Sequence, residues 1–170
     1  LSVIKQNYPP EEIRADFCII LFLFKNNCSI IKLKSFRRTT MKIEYFSIKK
    51  QYEISCKIFL PDDGRIDNVI IGVHGFAGDK ESSMLKKLAT TFCLHNSAVL
   101  SFDFPAHGNS LADEKLLTIN NCKNDLYTVL EYVSNEYPSA SKSIFATSFG
   151  GYPRPSNCWA RRWKRKSPRS

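Results

Sequence analysis

The chain has 170 residues, enough for one ordinary domain with a buried core, and a formal net charge of +9. The positive charge belongs to the two ends: residues 1–40 carry seven Lys/Arg and three Asp/Glu, and residues 153–170 carry seven Lys/Arg and no acid. The segment between them, 41–152, carries eleven Lys/Arg and thirteen Asp/Glu, which argues against a basic nucleic-acid-binding domain.

Residues 1–40 differ in character from the rest of the chain. The apolar run "FCIILFLF" (17–24) is too short to cross a bilayer and has no convincing small-residue cleavage site of a signal peptide. Met41 begins a segment of different character, "MKIEYFSIKKQYEISCKIFLP", which resembles the start of a folded domain. We therefore expect an irregular N-terminal extension that lies upstream of the natural start, and no role at a membrane.

The segment after Met41 begins with a predicted antiparallel hairpin. Residues 42–48 and 53–59 alternate in part between apolar and polar side chains and are joined by the polar "KKQY". A continuous apolar run, "NVIIGVHG" (68–75), follows a turn. Such a run is typical of a parallel strand that is buried on both faces.

Helices and strands then alternate. Helical spacing of apolar residues predicts a helix over 80–94, with Asp79 as its possible N-cap, and a second helix over 124–138. Buried strands are predicted over 98–104 and 143–146. This order predicts an α/β fold in which a hairpin is followed by parallel βαβ units with right-handed crossovers.

Ser148 directly follows the last of these strands, in "ATSFGG". Its neighbours Ala146, Gly150 and Gly151 are small, as a serine on a sharp strand-to-helix turn requires. Such a turn lifts the hydroxyl above the carboxyl edge of the sheet and turns the N–H of Phe149 toward a developing oxyanion. Taken alone, the motif could equally be a chance string in a loop.

Two further loops follow the other predicted parallel strands. "VHGFAG" (73–78) would add the N–H of Phe76 to the same oxyanion site, and "SFDFPAHGNS" (101–110) follows the next strand. The three motifs, in this order, resemble the α/β-hydrolase fold serine hydrolases, in the branch that holds cinnamoyl and feruloyl esterases, monoacylglycerol lipases and serine aminopeptidase-like proteins. The resemblance covers about 41–152 and implies the N-terminal half of that fold.

The resemblance implies a serine hydrolase that acts on small carboxylic esters or related acyl compounds. It makes Ser148 the nucleophile, and the backbone N–H groups of Phe76 and Phe149 the oxyanion hole. Two positions depart from the family pattern: Ala146 replaces the usual glycine, and Ala106 stands where a glycine is common. The first departure is mild, because alanine is still small.

The three histidines do not supply the base of this scheme. The resemblance places the triad's acid and histidine later in the chain than the serine. His107 and Asp103 are therefore expected to shape a turn, His74 to shape its own loop, and His95 to lie at the surface. The spacing of the three histidines is not that of a ligand set, so we predict no metal and no cofactor.

The six cysteines are scattered and form no C-x-x-C pair. Several of them lie in apolar runs, as reduced core cysteines do. We therefore expect a reducing compartment and a cytoplasmic location.

The chain changes character at Tyr152–Pro153. Pro153 and Pro155 would interrupt the helix that should follow the serine, and residues 153–170 contain no histidine, aspartate or glutamate. We expect a disordered basic tail, a truncation or reading-frame change of a longer gene, and a catalytically incomplete chain. An alternative is that "RRWKRK" (161–166) binds nucleic acid or another anionic surface, although out-of-frame translation explains the tail more simply.

Overall fold

The computed structural model describes residues 3–7, 11–13 and 39–151. In these residues seven strands form one sheet. The strands are β1 (Val3–Asn7), β2 (Glu11–Ile13), β3 (Thr39–Lys49), β4 (Glu53–Pro61), β5 (Asn68–Val73), β6 (Ser97–Phe102) and β7 (Ser141–Ala146). Two longer helices are α1 (Ser83–Phe92) and α2 (Ile119–Glu136), and three single turns of helix cover Cys93–His95, Glu114–Leu116 and Ser148–Gly151.

The sheet has the order β1-β3-β4-β6-β5-β7, and β2 also pairs with β3. The β3–β4 hairpin is antiparallel, with Phe46 opposite Cys56 in its middle, and β4 pairs antiparallel with β6. The pairs β5–β6 and β5–β7 are parallel. The predicted α/β fold, a hairpin followed by parallel βαβ units, is therefore confirmed.

Helices cover the two faces of the sheet. The larger apolar cluster joins α2 to one face, and the smaller one joins α1 to the other face. Every residue of β6 is buried, and so are the last five residues of β5. This burial on both faces explains why the two strands are continuous apolar runs in the sequence.

The first predicted helix begins later than expected. The Asp79 carboxylate accepts a hydrogen bond from the Glu81 N–H (2.9 Å) in a local turn, and α1 begins only at Ser83, after Ser82. Asp79 is therefore not the N-cap of α1. The backbone between these residues is drawn away from the helix because the Lys80 N–H and C=O are bonded to side chains of β6 and the loop after it.

The second helix begins earlier than expected, at Ile119. The hydroxyl oxygen of Thr118 accepts a hydrogen bond from the Asn121 N–H (3.2 Å) and caps the helix. Cys122, in the first turn, is fully buried and extends the apolar stripe of the helix toward its start. The sequence prediction missed this turn because its residues are mainly polar.

Strands β1 and β2 lie in the segment that we expected to be irregular. Both pair antiparallel with β3, with Val3 opposite Ile48 and Glu11 opposite Met41. The apolar run 17–24 lies outside the described residues, and so does the basic tail 153–170, on which the alternative of nucleic-acid binding rests. None of the helices described here combines the length and the apolar character needed to cross a membrane.

Candidate active site

Ser148 lies on a strained turn at the carboxyl end of β7. Its φ angle is +47°, a left-handed conformation that residues other than glycine rarely adopt. The turn is closed by backbone hydrogen bonds from the Thr147 N–H to the Val73 carbonyl (3.1 Å) and from the Gly150 N–H to the Thr147 carbonyl (2.9 Å). Ser148 is exposed, and its hydroxyl forms no hydrogen bond with any residue of 41–151.

The small residue two positions after Ser148 is required by packing. A Cβ atom on Gly150 would lie 2.5 Å from the His74 carbonyl oxygen and 2.8 Å from the Val73 carbonyl oxygen. Only a glycine lets the turn lie directly on the end of β5. A Cβ atom on Gly151 would meet nothing within 4 Å, so in the described structure that glycine is not required for packing.

The loop after β5 lies against this turn. A Cβ atom on Gly75 would be 3.3 Å from the Cβ of Ser148 and 3.3 Å from the Thr147 carbonyl oxygen. The Phe76 ring is 70% exposed, and its centroid lies 6.1 Å from that of Phe149 in an edge-to-face arrangement. The structure thus brings together the three residues predicted to form the site, Ser148, Phe76 and Phe149. The oxyanion role of their N–H groups stays a prediction.

His74 holds two loops together. Its Nδ1–H donates to the Gly75 carbonyl (2.7 Å), and its Nε2 accepts the Phe104 N–H (3.2 Å). Burial lowers the pKa of His74, so the ring is neutral at pH 7. Because both ring nitrogens are engaged, His74 cannot act as a general base, and its predicted role in shaping the loop is confirmed.

Asp103 is buried and has a structural role, as predicted. Its carboxylate accepts hydrogen bonds from the Lys80 N–H (2.7 Å), the Lys80 ammonium (2.7 Å) and the Asn109 N–H (2.9 Å). A Cβ atom on Gly108 would lie 2.5 Å from this carboxylate, so the turn needs a glycine there. Ala106, the second departure from the family pattern, adopts a left-handed conformation with φ of +59°.

His107 and His95 form no hydrogen bond with Ser148 in the part of the chain that the structure describes. The half-buried His107 ring is bonded through Nδ1 to the Pro105 carbonyl (2.9 Å) and packs edge-to-face against Phe76, with 5.9 Å between the ring centroids. His95 is exposed and lies two residues before β6, at the opposite end of that strand from the loop that carries Asp103. Within residues 41–151, no imidazole is bonded to the Ser148 hydroxyl.

Two buried lysines were missed by sequence reasoning. The Lys80 side chain is 2% exposed and forms an ion pair with Asp103, and its ammonium also donates to Asn109 Oδ1 (2.5 Å). Lys57 on β4 is nearly as buried and bonds Glu81 (2.5 Å). The burial of Lys80 could have been inferred from Asp103, because a buried carboxylate needs a positive charge beside it.

The described residues contain no group of three His, Cys, Asp or Glu side chains that could hold a metal ion. The cysteines among them, Cys56, Cys93 and Cys122, are free and buried. Burial raises the pKa of Cys93 to about 12 and that of Cys122 to about 11, so both thiols are protonated at neutral pH. A protonated thiol is a poor metal ligand and a poor nucleophile.

Comparison with solved structures identifies the fold. A cold-adapted esterase from an Arctic intertidal metagenomic library superposes with a TM-score of 0.60 at 15% identity, over 66% of this chain and 53% of that one. XC6422 from Xanthomonas campestris, an α/β serine hydrolase without a lid, gives 0.57 at 19% identity, over 64% and 52%. Est1E from Butyrivibrio proteoclasticus, solved with ferulic acid, gives 0.51 at 18% identity, over 60% and 41%.

The chain therefore has a partial α/β-hydrolase fold, and the fold that the three sequence motifs imply is confirmed. The chain spans about half the length of the first two of these solved proteins. No family model matches the sequence, and no curated protein does.

Proposed function

We propose that this chain carries the nucleophile and oxyanion parts of a serine hydrolase that acts on carboxylic esters or related acyl compounds. The observation that carries the proposal is the Ser148 turn: an exposed serine at positive φ, packed through Gly75 and Gly150 against the loop after β5. Of the solved proteins of the same fold named above, one is an esterase and another is a serine hydrolase, which supports the reaction and the substrate class.

In the proposed reaction the Ser148 oxygen attacks the ester carbonyl carbon while a base takes the hydroxyl proton. The N–H groups of Phe76 and Phe149 hold the negative charge on the tetrahedral oxygen. The bond to the alcohol then breaks, the base returns its proton to the departing oxygen, and water releases the acyl group from the serine.

We also propose that the chain is catalytically incomplete by itself, because the described residues place no base beside Ser148. His74 has both nitrogens engaged, His107 packs against Phe76, and His95 lies at the other end of β6. Asp103 is committed to Lys80. A serine hydroxyl without a base is a weak nucleophile at neutral pH.

The test combines a fluorophosphonate probe with an added base. Purified chain, Ser148→Ala and a matched control, Ser83→Ala at another exposed serine, are treated with the probe, and the labelled peptide is located by mass spectrometry. We expect no ester turnover that depends on Ser148. We also expect labelling of Ser148 when imidazole is supplied in solution to replace the base.

Two results contradict the proposal at different points. Ester turnover in the parent chain and in Ser83→Ala, lost in Ser148→Ala, would show that the chain is complete. Failure of imidazole to produce labelling at Ser148 above that at Ser83 would show that the turn is not a hydrolase site.

The proposal also includes a cytoplasmic location. The three described cysteines are buried and unpaired, as is usual in a reducing compartment. Mass spectrometry of the protein from its natural source, after alkylation without reductant, should find all three thiols free.

A further inference from the structure

We propose that Lys80 is a positioning residue that fixes the 75–79 loop, and with it the Phe76 N–H, beside Ser148. The inference rests on the proposed function, because that function assigns the Phe76 N–H to the oxyanion. Lys80 itself touches no reacting atom in this scheme. It acts by tying the loop after β5 to the loop after β6.

Every polar group of Lys80 is bonded inside the protein. Its N–H donates to Asp103 Oδ1 (2.7 Å), and its carbonyl accepts the Ser101 hydroxyl (3.1 Å). Its ammonium donates to Asp103 Oδ2 (2.7 Å) and to Asn109 Oδ1 (2.5 Å). The side chains of Lys80 and Asp103 are 2% and 0% exposed, so water does not compete for these bonds.

The other end of the loop is fixed by His74. Its ring bonds the Gly75 carbonyl on one side and the Phe104 N–H on the other. Both ends of the 75–79 loop are therefore held by residues of one neighbouring segment, 103–109. Between these two anchors Phe76 is 70% exposed, and its ring contacts in the described residues are edge-to-face ones with His107 and Phe149.

Within the loop one backbone hydrogen bond reports its conformation. The Gly78 N–H donates to the Gly75 carbonyl (3.1 Å), and Ala77 between them has a φ of +58°. A chain that holds an alanine in this unfavourable region must be constrained from its ends. The position of the Phe76 N–H thus follows from the His74 and Lys80 anchors.

A buried ion pair is weak evidence for stability, since apolar residues of similar size can replace it without loss. It can instead select one arrangement of the chain, and Lys80 has the geometry for that role. Removing both charges together leaves no buried charge unpaired, so the sheet should stay folded, while the Lys80 and Asn109 N–H groups lose their acceptor and the loop is loosely held. Removing Lys80 alone would leave the Asp103 carboxylate buried without a cation. The resulting loss of stability could then not be separated from loosening of the loop.

The experiment measures amide hydrogen exchange by NMR in Lys80→Met/Asp103→Leu, in a control with the same lysine change at the exposed Lys87 (Lys87→Met), and in the parent chain. We expect the Gly78 amide of the double variant to exchange about tenfold faster, while the amides of β6 keep their rates. The Lys87→Met control should match the parent chain at both places.

A purely structural role of the pair gives a different pattern. Gly78 exchange in the double variant that stays at the parent rate, or that rises only as much as exchange in β6, would overturn the proposal. If the double variant does not fold, Asn109→Ala removes one bond to the Lys80 ammonium and should still raise Gly78 exchange about threefold. An unchanged rate in Asn109→Ala would then overturn it.

The proposed function and the role of Lys80 are tested by two independent measurements. Imidazole-assisted labelling of Ser148 in the parent chain tests the proposed function, and Gly78 exchange in the variants tests the role of Lys80. With a labelled parent chain, we also expect slower labelling in the folded double variant and no change in Lys87→Met.

Discussion

The loop after β6 and the turn after β7 lie at the same edge of the sheet but are held in opposite ways. The first, which carries Asp103, is fixed by buried charges: a carboxylate, an ammonium and the amides that bond them. The second, which carries Ser148, has no ion pair in the described residues and is held on Val73 by the Thr147 N–H and hydroxyl and by the close approach of Gly150. The difference leaves the serine hydroxyl exposed and without a side-chain partner in 41–151, while the supporting charges stay out of water.

The largest expected change in stability follows from removal of the buried Asp103 carboxylate in the loop after β6. Asp103→Ala leaves the Lys80 ammonium buried without its carboxylate and should lower the free energy of unfolding by about 4 kcal/mol. Glu131→Ala, which removes a carboxylate exposed on α2, should change it by less than about 0.5 kcal/mol. Urea unfolding followed by circular dichroism measures both, and equal losses would mean that the loop is not held by its charges.

A second buried carboxylate, far from both loops in the sequence, sharpens the comparison. Asp125 on α2 receives the Tyr52 hydroxyl on both of its oxygens (2.8 and 2.7 Å), whereas the nearby Lys50 ammonium bonds Thr128 instead. Burial raises the pKa of Asp125 to about 6, and the Tyr52 hydrogen bond only partly opposes it. Asp125 is thus a buried carboxylate that is bonded by a hydroxyl, whereas Asp103 is bonded by an ammonium.

The pKa of Asp125 is higher in the folded state than in the unfolded state, and this difference makes the stability of the protein depend on pH. Between the ordinary value of about 4 and the folded value the folded protein binds more protons, so its stability falls as the pH rises through this window. The loss is about 3 kcal/mol, and Asp125→Asn should abolish it. His74, whose pKa is lowered by burial, contributes with the opposite sign in both proteins. Parallel stability curves for the two proteins from pH 4 to 7 would refute the expectation.

Backbone packing of the turn after β7 gives the next effect. Gly150→Ala forces a methyl group onto two carbonyl oxygens of the β5 end and should cost about 2 kcal/mol. Gly151→Ala, one position further, meets no atom within 4 Å and should cost less than about 0.5 kcal/mol. Thermal unfolding of the pair tests the packing directly. Similar melting temperatures would mean that the turn does not rest on β5.

The smallest effect concerns the left-handed alanine of the first loop. Ala106→Gly removes a side chain that disfavours φ of +59° and should raise the free energy of unfolding by up to about 1 kcal/mol. Ala112→Gly, at a position without positive φ, should lower it instead. Differential scanning calorimetry separates the two. A stability loss in Ala106→Gly would show that the alanine is not strained there.

The sequence predicted the parts of the site that depend on neighbours along the chain. The strand before Ser148, the glycine after it and the loop glycine Gly75 form local patterns, and the structure brings them together. The burial of Lys80 was missed, because it depends on Asp103, which is 23 residues away in the chain, and local patterns do not show which lysine is its partner. The start of α1 was wrong for the same reason, since nonlocal bonds to Lys80 hold the residues before the helix.

The contact of Gly150 with Val73 has a consequence for how this chain can vary. The serine takes its position from β5, the neighbouring strand of the sheet, while the outward side chains of its own strand, such as Ser143, are exposed to solvent. Mutations along the outer strand can therefore accumulate without displacing the hydroxyl. Substitutions that shift the end of β5 would displace the Ser148 hydroxyl directly. Selection for the position of Ser148 should therefore act mainly on β5, although Ser148 itself follows β7.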